Sequence, residues 1–226
     1  MAKLLLQSLL SFLVGAALLG VVLFLLAGTL DYWQAWVFIV VFSASANDIG
    51  IYLALKDPAL LERRKHIRPE GGSSPAHKVM GGLILVGVLL LLMVPGLDKR
   101  YGWSVMPGYV SVLGDLVVIA SFVGHYFVFR ANSFGGATVE VFEGQQVISS
   151  GPYAVVRHPM YAWVLVMCVG AELALGSWWG LLVIVAMQVP VLVWRILDEE
   201  RLLQRDLPGY GDYMRKVRYR LMPHVW

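Results

Sequence analysis

One cysteine in 226 residues, Cys168, excludes a disulfide within the chain and any site built from several thiolates. Charge is scarce as well. Asp, Glu, Lys and Arg make up 15% of the residues, where a soluble domain carries about a quarter. No internal repeat or low-complexity tract is present. The glycines Gly81, Gly82 and Gly87 fall in an apolar run with no strand before them, so they are no dinucleotide-binding loop. No Ser/His/Asp set on a nucleophile elbow is found. His158 has no second histidine at ligand spacing, so no metal site is expected.

What fills the chain instead is hydrocarbon. Apolar residues reach 58% and mean hydropathy is +0.70, which is the composition of an integral membrane protein. A span needs roughly 20 mostly apolar residues. The runs 4–27, 33–55, 79–97, 108–130, 159–175 and 178–197 qualify, the fifth only barely. The expected fold is all-α: one membrane domain of five to six helices, with four spans in 1–130 and a functional core in 131–226. The run Leu4–Ala27 is too long for the core of a cleavable signal and reads as a retained span. The tight turn Gly176-Ser-Trp-Trp-Gly180 joins the last two runs into a hairpin. Trp33, Trp36, Tyr101, Trp103, Trp178 and Trp179 fall near predicted boundaries, as interfacial aromatics do.

Of the 18 lysines and arginines, all but Lys99 and Arg100 fall on the side of the amino terminus. That bias predicts both termini in the cytoplasm. The basic excess is therefore topological, with anionic lipid headgroups as secondary partners and no nucleic acid. The long connections, Lys56–His77 and Ala131–His158, lie on the same side. Connections of that length in a compact protein are usually functional or disordered. The second should form an ordered lid, with a short extended piece at Thr138–Phe142. The last helix should continue into water, break near Pro208-Gly209 and resume as an amphipathic segment carrying Tyr210, Tyr213 and Tyr219.

The chemistry-bearing residues gather at the ends of the hairpin. Arg195 and Glu199 are four apart, one helical turn on one face. Alone they read as a snorkelling arginine with its ion-pair partner. Arg157-His158, at matching depth where the preceding helix begins, turns the pair into a candidate site. His158-Pro159 opens that helix, whose free N–H groups favour a negative group. Asp48, Asp115, His125 and Glu172 fall within spans, where ionisable groups are costly. They read as an ion or proton path, as polar glue between helices, or as interfacial residues.

The segment from Gln145 to Trp226 resembles the isoprenylcysteine carboxyl methyltransferase family in its short bacterial form. The resemblance rests on Arg157-His-Pro-Met-Tyr161-Ala-Trp163, an apolar hairpin, Glu199-Glu200, and Pro208-Gly-Tyr210 with Tyr213 and Val217-Arg-Tyr-Arg-Leu-Met-Pro223. It implies S-adenosyl-L-methionine as methyl donor, held at the cytoplasmic face of a bacterial inner membrane. Donor contacts carry over to Gln145, Gln146, Val147, Ile148, Tyr153, His158, Pro159, Met160, Tyr161 and Glu199, with glutamine at 145 where the family often has histidine. Arg195 would face the acceptor as the catalytic group. Trp163 stands where the family has glycine, and would narrow the space for an acceptor's tail.

The expected function is methyl transfer to a lipophilic acceptor from the bilayer, first the carboxylate of an isoprenylcysteine-like compound. Arg195 could hold a carboxylate by bidentate bonding, and such an acceptor needs no base. Two other readings stand beside it. One is methylation of a phospholipid amine or small thiol. The other, motivated by Asp48, Asp115 and Glu172, is a non-catalytic transporter or lipid-binding protein.

Overall fold

A computed structural model describes residues 2–65, 75–135 and 144–226 of the chain. Five of its helices are long and apolar enough to cross a membrane: Leu6–Ala27, Trp33–Lys56, Lys78–Tyr101, Gly108–Ala131 and Trp178–Asp206. They fall in α1 (Ala2–Ala27), α2 (Trp33–Lys56), α4 (Pro75–Tyr101), α5 (Gly108–Ala131) and the run α7 (Trp178–Val183) to α8 (Val189–Asp206). Shorter helices are α3 (Pro58–Lys65), α6 (Pro159–Ala174) and α9 (Tyr210–Lys216). Among the described residues there is no strand, as the composition leads one to expect. The extended piece expected at Thr138–Phe142 lies outside the described residues.

Backbone chemistry sets the ends of these helices. Gly28 at φ +69° stops α1, and Gly176 at φ +77° makes the turn after α6. Pro159 sits at the start of α6, where no N–H is needed. Ser177 caps α7 by accepting from the Gly180 N–H at 3.1 Å. Between α7 and α8 the helix widens into a π turn, Ile184–Gln188. Pro190 follows it, and a proline ring crowds the carbonyl four residues back, here Ala186 in that turn.

The fifth apolar run is the half-span left open by its length. The 16 residues of α6 rise about 24 Å at 1.5 Å each, short of a hydrocarbon core of about 30 Å. It is anchored by contact instead, packing chiefly on α5. The buried face of α5 repeats at seven-residue spacing, Gly114, Ser121 and Val128 in one row and Ser111, Val118 and His125 in the next. Gly114 lies directly on the α6 backbone at Gly170 and Ala174, and the Trp163 indole lies against Gly124. A side chain at either glycine would collide with its neighbour, so small residues let these helices approach.

At the end away from the long connections, polar groups tie the turns together. Tyr32 donates to the Leu175 carbonyl at 2.6 Å. Buried Asp98 accepts from the Ser104 and Ser177 hydroxyls, both at 2.6 Å. The ionisable residues of the spans are scattered. Asp48 is exposed, while the His125 ring meets the Ser121 carbonyl at 2.8 Å. Asp115 and Glu172 are buried, and their carboxylate oxygens take no hydrogen bond among the described residues. No group of three metal-ligating side chains occurs among those residues.

Candidate functional site

The ends of α5 and α8 and the start of α6 meet at one end of the bundle, where α9 and the carboxyl-terminal tail close over them. The approach to α6 is a 3-10 turn, Gly151–Ala154, with Gly151 at φ +57°. Tyr153 in this turn is fixed at both ends. Asn132 donates to its hydroxyl at 3.0 Å, and Tyr213 donates to its carbonyl at 2.8 Å. The tail then runs beside Arg157 and His158, whose N–H groups bond the carbonyls of Tyr219 and Arg220, both at 2.9 Å.

Glu200 locks this arrangement. Its carboxylate, 4% exposed, accepts from Arg157 Nε at 2.7 Å on one oxygen and from Arg220 Nε at 2.9 Å on the other. His158 Nε2 lies 3.3 Å from the first oxygen. Arg157 spends another nitrogen, Nη1, on the carbonyls of Val217 and Arg218, at 2.9 and 3.0 Å. A buried carboxylate held by two arginines, with an imidazole beside it, is a clamp joining α6, α8 and the tail.

Glu199, one residue earlier, points elsewhere. Tyr161 donates its hydroxyl hydrogen to Glu199 Oε2 at 2.5 Å and accepts from Arg195 Nε at 2.9 Å. The phenol thus joins the two residues whose four-residue spacing marked them as partners. The His158 ring stacks on Tyr161 with centroids 5.7 Å apart, and the Arg195 guanidinium lies 5.9 Å from the Tyr161 ring centre.

These groups share one cavity with about 820 Å³ of empty space, its open mouth included. Of the residues marked in the sequence, Gln145, Gln146, Val147, Ile148, Tyr153, His158, Met160, Tyr161, Arg195 and Glu199 line it. Pro159 and Trp163 do not. Pro159 is buried in the first turn of α6, and Trp163 joins the cluster of Leu53, Leu60, Val128 and Phe129 at α5. Val147 packs on Leu207, Tyr210, Tyr213 and Val217, which anchors the 145–148 segment to the tail.

Other lining residues carry no mark from the sequence reading. Leu203 and Leu207 continue the Arg195–Glu199 face at four-residue spacing, a signal that was there to be extended. Asn132, Phe134 and Gly135 lack any such signal. The Tyr210 hydroxyl is buried, faces no hydrogen-bond partner among the described residues, and belongs to a residue of the cavity wall. Burial pushes the Tyr153 phenol up to about 12 and the Tyr210 and Tyr213 phenols higher still. All three stay protonated at neutral pH, and of the three the Tyr213 hydroxyl donates, to the Tyr153 carbonyl.

No curated protein matches the chain. Residues 109–208, from the first turn of α5 into the turn before α9, match the family model described as phospholipid methyltransferase, a membrane methyltransferase family related to the isoprenylcysteine carboxyl methyltransferases. The matched segment contains Tyr161, Arg195, Glu199 and most of the cavity wall, and the match points to methyl transfer in a membrane.

Proposed function

We propose that the protein is a membrane methyltransferase that uses S-adenosyl-L-methionine and takes a lipophilic acceptor from the bilayer at the cytoplasmic face. The observation that carries this reading is the Arg195–Tyr161–Glu199 bridge in the wall of a cavity bordered by residues 145–148. The donor fits the residues present. The unsatisfied Tyr210 hydroxyl asks for a polar ligand, because a buried polar group left without a partner is costly. Glu199 would hold the donor's ammonium or ribose hydroxyls, and Gln145–Ile148 would border it. When bound, the donor supplies an electrophilic methyl group on a sulfonium.

The protein's own work is then orientation and exclusion of water. Arg195, steadied by Tyr161, orients the acceptor. The Glu200 clamp keeps the tail over the cavity. A carboxylate acceptor gives up no proton and is suited to Arg195, in keeping with the resemblance to isoprenylcysteine carboxyl methyltransferases. A phospholipid amine is the second reading, favoured by the family match over 109–208. An ammonium must lose a proton, and of the two adjacent acids only Glu199 lines the cavity. Glu200 is engaged by Arg157, Arg220 and His158 and is no base.

Purified protein incubated with methyl-labelled donor and a total lipid and thiol extract tests the reading. Label in the lipid fraction is expected. Release of that label as methanol by mild base identifies an ester and the carboxylate reading, whereas base-stable label identifies the amine. No transfer to any fraction by folded protein would contradict the proposal.

A further inference from the structure

The connection after α2 contains an arginine that the charge count treats as topology and the structure sets beside the cavity. Asp57 accepts from the Leu60 N–H at 3.0 Å, which starts α3 just where the apolar run of α2 ends. Leu60, fully buried, packs with Leu53, Val128 and Phe129 and holds α3 against the end of α5. That puts the next turn of α3 at the level where hydrocarbon gives way to headgroups.

Two successive arginines on this turn behave differently. Arg63 Nη1 donates to the Ser133 carbonyl at 2.6 Å, tying α3 to the loop after α5. Arg64 turns toward the site. Its guanidinium lies 4.6 Å from the Phe129 ring centre, and Nη1 reaches the Gly135 carbonyl at 3.2 Å and the Met160 sulfur at 3.5 Å. Both Gly135 and Met160 belong to the cavity wall. Burial holds the Arg64 pKa below its ordinary value, opposed by the nearby phenols of Tyr153 and Tyr161. Among the described residues no carboxylate pairs with Arg64.

A guanidinium offers five N–H donors in a planar fork that matches phosphate and carboxylate. Here one carbonyl and one thioether occupy a single nitrogen. Arg64 is half-buried and stands behind the wall residues Gly135 and Met160 rather than lining the cavity itself. Withdrawing such a charge from water without an anion is costly, so a ligand reaching past Met160 would supply the missing partner. We propose that Arg64 is the anion-binding group of the acceptor site, holding the phosphodiester of a phospholipid headgroup beside Met160. The inference rests on the methyl-transfer reading in its second form, the phospholipid amine, and gives that acceptor's phosphate a partner. Headgroup depth favours the acceptor over the soluble donor, whose carboxylate has no need of a group placed at the interface.

Calorimetry and phosphorus NMR line broadening on the full chain in detergent test this. The probes are dihexanoyl phosphatidylethanolamine, dihexanoylglycerol as its phosphate-free counterpart, inorganic phosphate, and S-adenosylhomocysteine for the donor site. Wild type should prefer the phospholipid to the glyceride by about tenfold or more, the scale of a charge-assisted pair. Arg64→Gln should erase that preference and Arg64→Lys keep part of it. S-adenosylhomocysteine affinity and melting temperature should stay within about twofold and a few degrees, since neutralising a guanidinium that has no carboxylate partner among the described residues strands no opposite charge. Four results would overturn the proposal: no preference in wild type, equal phospholipid affinity in Arg64→Gln, a parallel loss of S-adenosylhomocysteine affinity, or inorganic phosphate binding as tightly as the lipid. If wild type binds phospholipid through Arg64 but no S-adenosylhomocysteine, the methyl-transfer reading falls, and with it the acceptor role, while the phosphate contact of Arg64 stands.

Discussion

Tyr161 carries more of the candidate site than its neighbours because it touches both candidate residues of α8, Arg195 and Glu199. Removing only its hydroxyl leaves the ring stacked on His158 but frees Arg195 and Glu199 from each other. Tyr161→Phe should therefore fold normally and lose about ten- to a hundredfold in turnover, as misplacement of an orienting group does. The two arms of the bridge should separate in their effects. Glu199→Ala is expected to abolish binding of S-adenosylhomocysteine, while Arg195→Ala keeps it and loses turnover. Equal donor affinity in wild type and Glu199→Ala, by calorimetry, would reject the assignment. Tyr210→Phe deletes a hydroxyl that has no partner among the described residues, so it should not lower the melting temperature but should weaken donor binding by about three- to tenfold. Glu200→Ala is of another kind. It strands Arg157 and Arg220, and loss of one partner from a buried ion pair costs about 3–5 kcal/mol. A melting temperature unchanged from wild type would show that the clamp is not structural. Arg195 and Glu199 were legible in the sequence because one helical turn separates them. The role of Glu200 was not, since a neighbour on a helix points about 100° away and its partners lie 43 and 20 residues distant.

At the scale of helices, hydropathy located the first four long spans to within four residues, because a bilayer demands an unbroken apolar run, while the last helix runs past 197 to Asp206 as its expected continuation into water. Packing detail stayed hidden. The helix α3 is hidden within the Lys56–His77 connection, since eight residues with two arginines and a glutamate carry no apolar stripe. The break at Pro208-Gly209 was legible, and Gly209 at φ +84° opens α9 there. Trp163 drew attention through the family's glycine, yet its contact is with Gly124 on α5, a pairing of residues far apart in sequence. That contact gives a reciprocal test. Gly124→Leu should destabilise the α5–α6 pair, with lower yield and melting temperature in detergent. Trp163→Gly added to it should recover part of the loss, as coupled neighbours do. Additive losses in the double variant would mean that the indole is not what limits the space at Gly124.

Across the whole molecule, polar chemistry divides between the two ends of the bundle. One end is stitched by Tyr32, Asp98, Ser104 and Ser177. The other gathers the cavity, the Glu200 clamp and most of the cationic residues. The positive-inside rule would put that second end in the cytoplasm, which reporter fusions at each terminus would test; a signal from the opposite side of the membrane at either terminus would reverse the proposed orientation. The buried acids Asp115 and Glu172 are what a transporter reading would build on, and no hydrogen bond joins them to each other or to His125 among the described residues. The choice between a catalyst and a non-catalytic lipid binder comes down to the sulfonium donor. Titration of S-adenosylhomocysteine into the purified, folded chain should give saturable heat at micromolar ligand in wild type, and none in Glu199→Ala. Absence of heat in wild type at millimolar ligand would contradict the account.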